Sequence, residues 1–357
     1  MIDVRKRIIR FLIDNADSSI VLRLKKEILN NLPKNEENNL LQNIITQKNV
    51  QAVIQSQKPD GWFGNGFHGQ SPKLGVGMYN NMEVGLRYLA EKGFPPENEY
   101  MSKAINSFLL KEPFDNAYGR KSPIPPATDY TYTASGLYLA RSSIIIRAGY
   151  EYKLPENDFI DIKHDIDFSL KTFVNTLNYT SIDDVIDSHR KKSCFNPNIL
   201  WPCIYHLRML AYSEGWRNEK NISLLADSIN HILSFPHTDE MIYTYVKGQF
   251  VGPCFAFINA QIGILGVKET ENISLDAMEL FARCKILEKV PLLKNQYKYM
   301  LSLIDENLNF NIGANKFTNK DWSPYFGFAL EEDWKNSTRK QCDLLFRVLL
   351  IMHYSDI

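Results

Sequence analysis

LRYLAEKG (residues 86–93) is one of four segments that decide the fold predicted for this chain; the others are SIIIRAG (143–149), MLAYSEG (209–215) and IGILG (262–266). Each is a largely apolar stretch that ends in glycine, the residue that most readily takes the left-handed conformation closing a helix. An apolar or aromatic residue, a short polar linker and a further amphipathic stretch follow each glycine. We therefore expect helical hairpins, with Gly93, Gly149, Gly215 and Gly266 at helix ends with positive φ.

Helical apolar spacing extends over most of the chain. Met101, Ala104, Ile105 and Phe108 lie at i, i+3, i+4 and i+7, while the strict alternation of a half-buried strand is nearly absent. The fold class predicted is therefore all-α, as one domain over residues 1–357, with N-terminal helices in 1–57 and hairpin repeats in 58–357. About six hairpins are expected. They form a closed ring or an open HEAT-like superhelix, since local sequence indicates hairpins and not closure.

Composition limits the classes of function. The 357 residues include 41 Lys and Arg against 41 Asp and Glu, so no net charge favours nucleic acid as a partner. The sole basic run, HRKK at 189–192, is expected in a solvated loop. Five cysteines without CxxC spacing argue against a disulfide framework or a zinc ribbon, and Cys203 with His206 has no evident third metal ligand. We expect reduced core thiols, no metal or cofactor, no transmembrane segment and a cytoplasmic protein.

A single motif carries a resemblance to a known family. VQAVIQSQKPDGWFG (50–64) contains Gln57, Asp60, Gly61 and Trp62, and it resembles the Q-x-x-D-G-x-W motif of the squalene cyclase and prenyltransferase repeat family. That resemblance implies an α/α toroid of concentric inner and outer helices. Physically, the Gln and Asp side chains are expected to bond loose backbone groups at a helix end while the Trp covers the hairpin edge. Only this copy of the motif is well preserved.

Class II terpene cyclases of that family protonate an alkene through the central acid of a DxDD motif. The closest match here is Ser181, Ile182, Asp183 and Asp184, so serine replaces the first acid. Asp183 is retained as a candidate acid because adjacent carboxylates raise one another's pKa. The alternative is that both acids open a short helix, where they complement its dipole. A second pair, Asp165 and Asp167, lies inside an amphipathic helix and is expected to be surface charge.

The loops that precede the second set of helices hold the remaining site candidates. The segment 60–82 is rich in glycine and aromatic residues and contains His68, which exchanges protons near neutral pH. If the hairpins close into a ring, these loops meet at one mouth. The candidate catalytic residues are His68, Asp129, Asp183 and Asp333. The candidate ligand-binding residues, all aromatic, are Trp62, Phe67, Tyr132, Trp201, Trp322 and Tyr325.

Three functions fit such a mouth. The leading hypothesis is a terpenoid cyclase-like or prenyltransferase-like protein that binds an apolar or isoprenoid-type ligand in a central cavity, as the resemblance implies. A noncatalytic helical-repeat scaffold that binds a peptide or protein is the alternative from a different class. An (α/α)-barrel carbohydrate-active enzyme, which needs two carboxylates about 5 to 9.5 Å apart, is the third.

Overall fold

The computed structural model describes residues 2–64, 66–67, 81–110, 132–150, 154, 160–196, 198–236, 242–246, 249–252, 255–257, 264–265, 271–311, 317–318 and 321–355. This part of the chain is mostly helical, as the apolar spacing predicts. Its α-helices are α1 (Ile2–Asn15), α2 (Ser18–Arg23), α3 (Lys34–Ile45), α4 (Lys48–Gln55), α5 (Met82–Glu91), α6 (Glu99–Leu110), α7 (Tyr132–Arg147), α8 (Ile162–Asn175), α9 (Ile204–Tyr212), α10 (Glu219–Ser234), α11 (Glu271–Arg283), α12 (Pro291–Ser302) and α13 (Ser337–Tyr354). A π-helical turn, Leu24–Ile28, prolongs α2.

The helices fall into two groups by burial. In α5 and α9, in residues 342–352 of α13, and in the described side chains of α7 and α11, almost every residue is buried, polar ones included. We call these five helices, together with α2, the buried helices. The amphipathic helices α1, α6, α8, α10 and α12 bury one face and expose the other. From α5 onward each buried helix packs against the next buried helix: α5 on α7, α7 on α9, α9 on α11 and α11 on α13. Helix α13 also packs against α1 and α2.

A left-handed residue ends α5, α7 and α11, and at α5 and α7 it is the glycine that the sequence predicts. Gly93 and Gly149 have φ of 94° and 87°, and backbone bonds from Phe94 to Leu89 and from Tyr150 to Ile145 complete a Schellman motif at each. Gly215 differs, because α9 already ends at Tyr212 and the glycine lies in the following turn without a positive φ. Gly266 lies outside the described residues.

The α11 terminus shows that glycine is not required for this role. Lys285 takes φ of 61° there, and the N–H of Ile286 bonds to the carbonyl of Phe281 to give the same motif. A non-glycine residue in this conformation costs about 1–2 kcal/mol. The Lys285 ammonium donates to the carbonyl of Tyr354 at 2.9 Å, a contact that offsets part of that cost.

A small β-structure interrupts the helices where the sequence predicts only loops. Strands β1 (Ile186–His189) and β2 (Lys192–Phe195) form one antiparallel pair, and β3 (Thr244–Val246) and β4 (Gln249–Val251) form another. A parallel bridge between Cys194 and Tyr243 joins the two pairs. The basic run therefore forms a hairpin tip, where Arg190 and Lys191 take φ of 48° and 63°, as in a type I′ turn.

The loop after α4 has the structural role predicted for the Gln57–Trp62 motif. Gln57 Nε2 donates to the carbonyls of Gly61 at 3.1 Å and Tyr100 at 2.8 Å, which ties the end of α4 to α6. The backbone N–H of Trp62 donates to Asp60 Oδ1 at 3.0 Å. Gly61 has φ of 90°, and a Cβ on it would lie 2.2 Å from the carbonyl oxygen of Lys103, so no side chain fits here.

The loop after α12 repeats this geometry without the motif. Antiparallel bridges join Gln57 to Phe63 in the first loop and Ile304 to Phe310 in the second. The flanking backbone bonds correspond one for one, and Leu308, with φ of 63°, takes the place of Gly61. The second loop packs on α1 and α13, because Arg7 donates to the carbonyl of Glu306 and Gln341 donates to that of Leu308.

Candidate functional site

Polar stripes run along the inner sides of the buried helices. Glu83, Arg87 and Glu91 lie at i, i+4 and i+8 of α5, one above the other on a single face. All three are less than a tenth exposed. Arg87 and Glu91 lie 3.9 Å apart, Nε to Oε1, and Glu83 Oε1 accepts from the hydroxyl of Tyr205 at 2.7 Å. The stripe of α5 therefore faces α9 within the interior.

Ion pairs link α9, α11 and α13 across the same interior. Arg208 Nη2 lies 2.8 Å from Asp276 Oδ2, and Arg283 Nε lies 2.8 Å from Glu279 Oε1. Arg347 bonds to Glu279 and lies 3.7 Å from Asp276 Oδ1. Each of these five side chains is at most about a tenth exposed. Helices that are distant in sequence thus share one set of charges.

The end of α2 completes this set, which we call the charge network. Arg23 Nε lies 2.6 Å from Glu27 Oε1, and the Arg23 Nη1 donates to the carbonyl of Glu91 at 3.4 Å. Arg283 Nη2 lies 3.7 Å from Glu27 Oε2. Its described members are the carboxylates of Glu27, Glu83, Glu91, Asp276 and Glu279, the guanidinium groups of Arg23, Arg87, Arg147, Arg208, Arg283 and Arg347, and the hydroxyl of Tyr205. Five carboxylates facing six guanidinium groups leave the interior close to neutral.

The charge network keeps Glu279 and Glu27 ionised. Burial by itself would raise the pKa of Glu279, but the charges of Arg347, Arg283 and Arg23 outweigh it and hold that pKa at about 2. Burial would likewise raise the pKa of Glu27, but the charge of Arg23 and its hydrogen bond outweigh burial and bring that pKa to about 2. Neither carboxyl carries a proton near neutral pH. These groups therefore cannot protonate an alkene or a glycosidic oxygen.

A strap of residues 321–336 packs against the charge network. Arg87 donates to the carbonyls of Pro324, at 2.9 Å, and Tyr325, and Arg347 donates to that of Gly327 at 2.8 Å. Tyr325 is 9% exposed, with its ring centroid 5.5 Å from the Arg87 guanidinium carbon. This candidate ligand-binding residue thus packs against the protein's own charges.

A second cluster holds the strap to α13. Asp343 accepts from the backbone N–H groups of Leu330 and Glu331, both at 3.2 Å, and from Trp334 Nε1 at 2.9 Å. Burial raises the pKa of Asp343 to about 6 and that of Glu331 to about 10. Lys92, with no exposed surface, donates to the carbonyl of Leu330 at 2.7 Å. Glu331 therefore keeps its proton near neutral pH, whereas Asp343 takes one up only as the pH falls towards about 6, and both side chains are less than a tenth exposed.

Two candidate ligand-binding aromatics pack against the same ring of the core. Trp62 and Phe67 both pack edge-on against Phe108 of α6, with ring centroids 5.7 Å and 6.0 Å away. Trp62 Nε1 donates to the carbonyl of Gly66 at 3.2 Å. Exposure is 8% for Trp62 and zero for Phe67, so both rings are part of the core.

The other described aromatic candidates lie apart. Trp201 is fully buried, with the rings of Tyr179 and Phe235 at 6.2 Å and 5.8 Å. Trp322 is half-buried on the strap and donates through Nε1 to the carbonyl of Glu331 at 3.1 Å. Tyr132 begins α7, but its side chain lies outside the described residues.

The acidic candidates sit at exposed turns where they are described. Asp183 belongs to a 3₁₀ turn, Ile182–Asp184, in which Ser181 Oγ accepts from the N–H of Asp183 at 3.1 Å and Asp184 accepts from that of Ser181. This arrangement is the helix-opening alternative stated for the pair. Asp333 is exposed and accepts from the N–H of Lys335 at 2.8 Å. His68 and Asp129 lie outside the described residues.

One expectation about acids is wrong. Asp165 is only 3% exposed, although its place in an amphipathic helix indicated surface charge, whereas Asp167 is exposed. The hydroxyl of Ser142 on α7 donates to Asp165 Oδ2 at 2.5 Å. Burial raises the pKa of Asp165, and the Ser142 bond opposes that shift. Asp165 therefore links α8 to a buried helix.

Cys203 and His206 make contact but form neither a metal site nor a nucleophilic pair. Cys203 Sγ lies 3.2 Å from His206 Nδ1, and both are fully buried at the start of α9. Burial raises the pKa of Cys203 to about 11 and lowers that of His206 to about 3, so both stay neutral. The four described cysteines are buried and unpaired. No group of three metal-ligating side chains occurs among the residues described.

Sequence reasoning missed the charge network. Its signal was present in stretches such as MEVGLRYLAE, where charged residues recur at helical spacing inside a segment that is otherwise apolar on every side.

A bilayer-spanning helix needs about 20 predominantly apolar residues, and none of the described helices meets that requirement. Comparison with protein-family models, curated proteins and solved structures found no match for this chain.

Proposed function

We propose that the chain is a closed α/α toroid of six helix pairs, with α13 and α1 as the pair that joins the two ends of the chain. The contacts between successive buried helices support this arrangement, as does the packing of α13 on α2. The remaining junction, between α2 and α5, is supported by the bond from Arg23 to the Glu91 carbonyl. Leu22 also lies 2.5 Å from where a Cβ on Gly93 would be.

The two equivalent loops support the same arrangement. The loop after α4 bonds to α6, which is the next amphipathic helix along the chain. The corresponding loop after α12 bonds to α1, at the opposite end of the sequence. Under the proposed closure α1 is the next amphipathic helix after α12, so both loops make the same kind of contact.

We further propose that this protein is a noncatalytic binding protein whose partner is a polypeptide. The observation that carries this proposal is the charge network, in which arginines and carboxylates occupy the interior that a toroid enzyme would use for its substrate. An isoprenoid ligand needs an apolar cavity with a proton-holding acid at its centre. Glu27 and Glu279 are instead ion-paired with pKa values of about 2, and Glu331, whose pKa is about 10, accepts from the backbone N–H of Asp17 at 3.0 Å. The candidate acids for sugar chemistry, Asp183 and Asp333, serve exposed turns.

Native mass spectrometry of the protein isolated from its own cells tests this function. We expect a co-purifying polypeptide and no bound lipid. A matched thermal-shift series with farnesyl and geranylgeranyl diphosphate is expected to leave the melting temperature unchanged, because a ligand that binds only the folded state raises it. A bound isoprenoid, or a saturable rise in melting temperature with either diphosphate, would contradict the proposal and restore the cyclase-like hypothesis.

A further inference from the structure

A polar cleft of about 290 Å³ opens beside the helix pair that joins the chain ends. Four side-chain amides line it: Asn307, Asn309 and Asn311 from the loop after α12, and Gln341 from α13. The amide nitrogens of Asn309 and Asn311 donate to Asp305 Oδ2, at 3.0 Å and 3.4 Å, and that of Gln341 donates to the carbonyl of Leu308. These bonds hold the amides in place, and each amide oxygen can accept from the N–H groups of a peptide backbone. The described lining residues include no carboxylate, and Lys340 is their one charged group.

An open strand edge lies in the same cleft. Phe310 pairs with Ile304, and the bonds from Asp305 to Asn309 and from Asn311 to Leu303 flank that pair. In this antiparallel pattern the N–H and C=O of Phe310 point away from Ile304. No hydrogen bond to either group exists within the described part of the chain.

The equivalent loop shows what this edge looks like when it is occupied. Phe63 corresponds to Phe310, and its N–H lies 3.4 Å from the sulfur of Met82, at the start of α5. The ring of Phe63 packs on Gly85 of the same helix. In the second loop the matching space is the cleft beside the start of α13.

We propose that this cleft binds a short, extended, uncharged polar peptide segment, which adds to the edge at Phe310. Asn309 and Asn311 are two residues apart on one side of the strand, so their spacing of about 6.6 Å matches the repeat of an extended peptide. The volume lies near the lower limit of about 300 Å³ for ligand pockets, and it therefore suits a few residues. Phe11 and Phe317 add apolar surface to the lining. This site rests on the polypeptide-binding function proposed above and specifies where it occurs.

Saturation-transfer NMR with defined peptides tests the site. The probe is the blocked pentapeptide acetyl-Ser-Thr-Gln-Ser-Thr-amide, and its control has the same side chains with N-methylated backbone amides. We expect saturable binding of the first and none of the second, because methylation removes the donors that an edge strand needs. Equal binding of both peptides, or no binding of either, would overturn the proposal. Binding of maltotetraose instead would assign the cleft to sugars.

Matched tryptophan substitutions locate the binding. Thr338→Trp and Ser337→Trp fill the cleft at the start of α13, whereas Lys335→Trp places the same ring at an exposed position outside the cleft lining. We expect the first two to weaken peptide binding by about tenfold or more, which corresponds to the loss of one to two net hydrogen bonds. Lys335→Trp should bind as the wild type does. Unchanged affinity in both cleft variants, each with a wild-type circular dichroism spectrum, would refute the location.

The two proposals fail in distinguishable ways. If a polypeptide co-purifies with the native protein and binds Thr338→Trp as tightly as the wild type, the function stands and the cleft is the wrong site. If the native protein carries an isoprenoid, the function itself is wrong, whatever the peptides do.

Discussion

Replacing Glu279 by glutamine removes the central carboxylate of the charge network and leaves its partners, Arg283 and Arg347, without their shared anion. The pKa of this carboxyl falls from its ordinary value of 4.5 to about 2 in the folded protein. Since each tenfold change in a protonation constant is worth about 1.4 kcal/mol, the ionised group contributes roughly 3 kcal/mol to the free energy of unfolding. Breaking a buried ion pair on one side costs a similar roughly 3–5 kcal/mol.

The pH dependence of that loss distinguishes it from a packing defect. Because the pKa is lowered on folding, the contribution of Glu279 is fully present above about pH 4.5 and disappears as the pH falls towards about 2. We therefore expect Glu279→Gln to unfold in less urea than the wild type near neutral pH, and the difference to shrink steadily below about pH 4.5. Urea titrations followed by far-ultraviolet circular dichroism at a series of pH values measure this difference between variant and wild type.

Glu219→Gln is the matched control. Glu219 is 91% exposed and lies 3.8 Å from Lys289, and an exposed pair of this kind contributes about 0–1 kcal/mol. Its substitution should leave the urea midpoint nearly unchanged at every pH. A loss in Glu279→Gln that is as large at about pH 3 as at about pH 7, or a loss no greater than that of the control, would refute the role assigned to the network.

Three further predictions follow from single positions. Gly93→Ala should lower the free energy of unfolding, measured by urea titration, by about 1–2 kcal/mol or more, because φ is 94° and the new Cβ meets Leu22. Its control, Gly252→Ala, should change that free energy little, because nothing lies within 4 Å of the new Cβ. Burial raises the pKa of Asp343 from 3.8 to about 6, so the wild type should gain stability relative to Asp343→Asn as the pH falls from about 7 to about 5. A difference in free energy of unfolding that stays constant over this range would argue against that pKa. Cys203 should resist iodoacetamide in the folded protein and react in urea, as read by peptide mass mapping, because burial raises its pKa to about 11.

The helical class and two of the hairpin ends could be predicted because they depend on local patterns. Apolar spacing gives α6 its buried face, and Gly93 and Gly149 close helices because they lack a Cβ at positive φ. Lys285 takes the same conformation at the end of α11, and nothing in its residue type indicates this. The loop after α12, which repeats the geometry of the loop after α4, was missed for a similar reason, because Leu308 replaces the glycine on which the motif depends.

The charge network depends on where helices face, which local patterns do not settle. Charged residues at i, i+4 and i+8, such as Glu83, Arg87 and Glu91, normally mark an exposed helix face. In this protein the charged face of α5 points into an interior that several buried helices share. The ion pairs there form between residues far apart in sequence. The aromatic candidates Trp62 and Phe67 were assigned to a ligand, whereas Phe108 and the surrounding core cover both rings.

The contact between α1 and α13 has a further meaning for synthesis in the cell. Helix α1 is synthesised before α13, on which it packs, and closing the loop of about 320 residues between them costs about 5 kcal/mol of entropy. Until α13 is made, the buried face of α1, with Ile8 and Leu12, has no partner on that helix. A chain stopped before residue 337 therefore exposes the apolar face of α1, which marks incomplete molecules for chaperones and proteases.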